Sequence, residues 1–132
     1  MVEALAADEA AAVQAETSLA ELAAAAGAAF DVEGEPRHLA PVTSVALVRA
    51  VQEALRNVEK HAAGARARVR LSYRDSHVAV SVADDGPGFD PEAPASGFGL
   101  SGTRNRIVGL GGKFEVDSVP GRGSTVRMEV PA

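Results

Sequence analysis

The sequence predicts an α+β two-layer α/β sandwich, a mixed and mostly antiparallel sheet with helices on one face. Three observations carry this. Residues 43 to 62 have apolar side chains three and four apart, the spacing of a single helix face. Four segments, 65 to 73, 77 to 84, 113 to 119 and 124 to 130, alternate apolar and polar residues, the spacing of strands with one buried and one wet face. The 132 residues are 46% apolar, enough for one compact core, built from aliphatics because Trp is absent and Tyr occurs once.

Taken in order, residues 1 to 16 are Ala-rich with interspersed acids and read as a flanking segment, leaving 17 to 132 as the domain proper. Thr17 or Ser18 is suited to cap a helix over "SLAELAAAAG" that Gly27 ends. "AAFDVEGEP" reads as a short strand closed by a Gly/Pro turn. In the long helix the stripe is Val48, Val51, Leu55, Val58 and Ala62. The strands at 65 to 73 and 77 to 84 form a hairpin across "RDS". "TRNRIVGLGG" is a helix with a Gly stop, and the last two strands join across "PGRG". The stripe of Arg66, Arg68 and Arg70 has the look of a phosphate-binding face, but acids on neighbouring strands favour a solvated one.

The net charge of -5 argues against a general nucleic-acid or anionic-membrane binder. With no Cys, disulfides, thiolate metal sites and Cys nucleophiles are excluded. The apolar runs near the start are short and broken by acids, unlike a signal or membrane-spanning segment, so the expectation is a cytoplasmic domain without membrane contact.

Period-two counting puts Asp84 in the buried row of Val78, Val80 and Val82. A carboxylate there is costly unless a donor meets it. Two readings stay open: Asp84 caps the turn beyond the strand, or it accepts a hydrogen bond from a ligand entering the core edge, for which an adenine amine is suited. Glu53 and Asn57 are four apart on the long helix, with Lys60 a further turn along. At about 100° per residue that face lies nearly opposite the Val stripe, which fits either a solvated face or a magnesium-phosphate site. Gly86, Gly88, Gly97, Gly99 and Gly102 let a loop approach a ligand, and residues 99 to 104 lead into a helix whose free N–H groups attract phosphate. The spacing of the three His does not suggest a metal site.

The order of these pieces resembles the Bergerat-fold ATP-binding domains shared by gyrase, heat-shock chaperones, mismatch-repair ATPases and histidine kinases. The likeness covers about residues 17 to 131. It rests on "QEALRNVEKHA", "DDGPGF", "GFGLSGTRNR" and "GRGST", and within the family it is nearest to the nitrate-sensor-like histidine kinases. Asp85 stands where many relatives carry Asn, and Ser124 where Thr is usual. The resemblance implies ATP and Mg2+ as cofactors. It implies that Asp84 hydrogen-bonds the adenine amine above a wall shaped by Gly86 and Gly88, with Ser124 or Thr125 beside it. Asn57 would ligand the metal, and Glu53 would orient metal-bound water or assist proton transfer. Lys60 and the amides of Gly99, Leu100, Ser101 and Gly102 would meet the phosphates, under a lid running from Gly88 to Gly97.

The function implied is the catalytic domain of a two-component sensor histidine kinase, passing the γ-phosphoryl group to a histidine on a separate dimerisation domain, with a response regulator downstream. The isolated domain is expected to be monomeric. Two alternatives are an anti-sigma Ser/Thr kinase of the same fold and a degenerate fold that binds no nucleotide.

Overall fold

The computed structural model describes residues 15–88 and 100–132, with Ser101 described by its backbone. In chain order the elements are helix α1 (residues 15–25), β1 (Ala29–Glu33), α2 (Pro41–His61), β2 (Ala67–Tyr73), β3 (His77–Asp84), α3 (Leu100–Gly109), β4 (Lys113–Ser118) and β5 (Ser124–Pro131). The sheet order is β1-β2-β3-β5-β4, parallel between β1 and β2 and antiparallel elsewhere. A parallel pair needs a long crossover, and α2 supplies it. The fold is therefore the mixed, mostly antiparallel α+β sheet that the sequence predicts. Among the described residues no helix is long and apolar enough to cross a membrane.

Alternation along the strands stacks the apolar residues into rows across the sheet. Leu71, Val80, Met128 and Phe114 form one row; Val69, Val82, Val126 and Val116 form the next. Leu19 of α1, Leu47 and Val51 of α2 and Ile107 of α3 cover these rows and are fully buried. The opposite face carries charge, with Arg68 3.6 Å from Asp31 and Arg70 3.6 Å from Glu33.

Two local expectations are corrected. Helix α1 is already formed at residue 15, so neither Thr17 nor Ser18 caps it. Its early residues are anchored to the sheet: Ala15 is buried, and the Tyr73 hydroxyl donates to Glu16 Oε1 at 2.6 Å. The buried face of α2 is also turned relative to the Val stripe. Val51, Leu55 and Ala62 of that stripe are buried as expected, but Val48 and Val58 are only half-buried, and Ala46, Leu47, Ala50 and Ala54 are buried beside them. A run of alanines lets the helix backbone approach the sheet closely, which a stripe of bulkier residues does not.

A contact the sequence does not suggest holds the β2–β3 hairpin. The Arg37 guanidinium donates to the carbonyl oxygens of Asp75 at 3.1 Å, of His77 at 2.8 Å and of Arg74.

Candidate functional site

The next row across the sheet changes character. Ala67, Asp84, Ser124 and Ser118 continue the buried rows at the end of the strands, and three of the four are polar. Ser124 Oγ donates to Asp84 Oδ2 at 2.5 Å, and the Gly86 N–H donates to Asp84 Oδ1 at 2.9 Å. A carboxylate offers about four acceptor positions, so this one keeps acceptor capacity while both oxygens are held in place. Asp84 thus has the turn-capping role that counting left open, and it retains room for a second donor.

Beside it is a cavity of about 30 Å³ lined by Asn57, Ala62, Asp84, Gly88, Leu100 and Ser124, among others. That space is on the scale of a single water. The turned face of α2 explains why Asn57 lies here: it follows the Ala46, Ala50 and Ala54 line and is only 8% exposed, not opposite the buried face. His61, in the last turn of α2, lines the same cavity.

The loop after β3 has little room for side chains. A Cβ on Gly86 would lie 2.5 Å from the Ala62 Cβ and 2.9 Å from Asp84 Oδ1. Gly88 has φ +67°, a left-handed conformation that other residues resist, and its Cβ would lie 2.2 Å from the Val119 carbonyl oxygen. Gly123 was not among the expected site residues. Its φ is +81° and its Cβ would fall 2.2 Å from the Asp84 carbonyl oxygen, so it is what lets β5 start against Asp84. The signal for it was present in "GRGST" as the glycine before Ser124. Asp85 closes the strand end from outside, its Oδ1 accepting from the Arg66 N–H at 2.6 Å.

Other expected residues fall elsewhere. Thr125 pairs with Ala83 and Asp117 in register, on the opposite face from Ser124, because successive strand residues alternate. It is therefore not beside Asp84. Lys60 is exposed beyond Asn57. Glu53 pairs with Arg56 at 3.2 Å and faces a separate cleft that Gly102 also lines. Gly97, Gly99 and the Ser101 side chain lie outside the described residues, as does all of the expected lid but its first residue, Gly88.

The residues brought together offer a fixed carboxylate acceptor, not a self-contained metal site. A fixed carboxylate acceptor beside a glycine-walled cavity matches an amine donor. Among the described residues no group of three or more His, Cys, Asp or Glu could hold a metal ion. Magnesium does not require one, since it commonly takes one or two protein ligands together with water and phosphate oxygens.

Comparison with known proteins bears on the family and the fold. The family described as histidine kinase-, DNA gyrase B- and HSP90-like ATPase matches residues 43–132. The sensor histidine kinase LiaS of Bacillus subtilis is 38% identical over 86 residues, 64% of this chain and 24% of LiaS. DegS of Bacillus subtilis, a signal transduction histidine-protein kinase/phosphatase, is 35% identical over 103 residues, 75% of this chain and 27% of DegS. The solved structure of the mycobacterial sensor histidine kinase MprB superposes with a TM-score of 0.62 at 26% identity, covering 89% of this chain and 91% of that one. The chain spans about a quarter of the length of the curated relatives it matches.

Proposed function

The chain belongs to the histidine kinase-, DNA gyrase B- and HSP90-like ATPases, and from that premise we propose that it binds Mg-ATP and donates the γ-phosphoryl group to a histidine on a separate dimerisation domain, as the catalytic domain of a two-component sensor histidine kinase. The observation that carries this reading is the Asp84–Ser124–Gly86 arrangement at the end of the buried rows, facing Asn57 across the cavity. Asp84 accepts from the adenine amine, and Ser124 and Gly86 keep its carboxylate aimed. The 30 Å³ between them is too small for a purine, so Leu100 and the Gly88 side of the cavity give way as the base enters.

Asn57 supplies a hard oxygen for Mg2+, which when bound neutralises charge on the phosphates. Catalysis then rests on positioning and charge neutralisation, as in other phosphoryl transfers. Glu53 lies one turn from Asn57 and would orient water beside the metal or take the proton of the acceptor histidine. The acceptor domain belongs to the same kinase, and a response regulator receives the phosphoryl group from it.

The experiment is to incubate the chain with radiolabelled ATP and a separately expressed, histidine-bearing helical domain from the same kinase. Acid-labile phosphohistidine on that domain is the expected product. Acid-stable label on Ser or Thr of an antagonist protein instead would replace this reading with the anti-sigma kinase. A folded chain that gives no calorimetric heat with Mg-ATP would replace both.

A further inference from the structure

Helices α2 and α3 leave a second cleft between them, of about 320 Å³, lined by Arg49, Gln52, Glu53, Arg56, Thr103 and Arg106. Three arginines line it against one acidic residue, on a chain whose net charge is -5. Glu53 is already paired with Arg56, and among the described residues neither Arg49 nor Arg106 forms an ion pair. The two arginines come from different helices, α2 and α3, and line the same cleft.

We propose that this cleft receives the terminal phosphate of the nucleotide, and that Arg49 and Arg106 distinguish ATP from ADP. The inference rests on the ATP-domain reading above and adds to it the residues that read the γ-phosphate. Asn57, Glu53 and Arg49 are four apart in succession, so they lie along one line of α2, about 6 Å per step at roughly 1.5 Å per residue. Helix α3 spans the same interval: Leu100 lines the Asp84 cavity, whereas Gly102, Thr103 and Arg106 line the cleft. A nucleotide with its base at Asp84 leads its phosphates past Asn57 and along this line. The cleft has the volume for a phosphate group, which the base cavity lacks. Guanidinium groups match phosphate oxygens with paired donors, and a charge-assisted bond is stronger than a neutral one.

Calorimetry of the 132-residue chain with Mg-ATP and with Mg-ADP tests this, using Arg49→Gln and Arg106→Gln. Each variant is expected to weaken Mg-ATP about fivefold or more while changing Mg-ADP by less than about twofold. Equal loss for both nucleotides, or no loss for either, would overturn the assignment and leave the ATP-domain reading standing. A folded parent chain that binds neither nucleotide would overturn that reading, and this inference with it.

Discussion

Asp84 is held by two neighbours of different sequence range, one two residues away and one forty away. Substituting Asn keeps its size but turns one acceptor oxygen into a donor, so the Gly86 N–H, the Ser124 hydroxyl or the incoming amine loses its acceptor. Asp84→Asn is expected to weaken Mg-ATP binding by about 1 to 3 kcal/mol, the cost of an unmatched buried polar group, with the far-UV circular dichroism spectrum retained. An unchanged dissociation constant would remove Asp84 from the base site. Tyr73, the only tyrosine, gives a second residue-level test. Burial, then the hydrogen bond and negative charge of Glu16, push its phenol well above the usual tyrosine range. Unfolded tyrosine ionises near pH 10, and the folded chain keeps the proton beyond that. The contribution to stability is therefore complete below about pH 10 and declines as pH rises past it toward the folded value. Urea midpoints followed from pH 8 to 11 should fall more steeply for the parent chain than for Tyr73→Phe. Phenolate absorbance of the folded chain should lag that of free tyrosine.

At the level of elements, the strands were legible because bulky residues at period two leave no doubt about parity, and the same counting put Asp84 in the buried row. Helix α2 was legible as a helix but only in part in its facing, since Val51, Leu55 and Ala62 of the stripe are buried and Val48 and Val58 are not. Bulky Val48 and Val58 dominate a stripe drawn by size, whereas small Ala46, Ala50 and Ala54 are the more deeply buried. That turn brings Asn57 to the cavity. Ala54→Leu, which adds a branched side chain at a site 2% exposed, is expected to cost about 1 to 3 kcal/mol by overpacking. It should also tilt the helix enough to weaken ATP binding. Val48→Leu, at a half-buried position, should alter the denaturation midpoint much less. If Ala54→Leu were as stable as the parent, the alanine face would not be the close-packed one. The anchoring contacts were not legible for a different reason. Arg37 reaches the hairpin across nearly forty positions and Glu16 reaches Tyr73 across 57, and no local periodicity encodes such partners.

At the scale of the whole molecule, the sheet separates a face that builds the site from a face that does not. Adjacent placement of β3 and β5 is what sets Asp84 opposite Ser124, and strands forty residues apart can be paired from sequence only through resemblance to a known topology. The open face competes on size, since a cavity of about 310 Å³ there is lined by Arg70, Arg74, Lys113 and Arg127 as well as by Glu33 and Glu115. Cations alone would make it a second phosphate site. Its acids argue otherwise, because Arg70 lies 3.6 Å from Glu33 and Arg74 lies 3.8 Å from the same carboxylate. The pairs are also substantially exposed, so each contributes no more than about 1 kcal/mol. Arg68→Ala and Arg70→Ala are accordingly expected to leave Mg-ATP affinity within about twofold of the parent and stability within about 1 kcal/mol. Calorimetry and urea denaturation of the two variants check both numbers. Loss of ATP affinity on the open face, with Arg49→Gln and Arg106→Gln silent, would move the phosphates to the other side of the sheet.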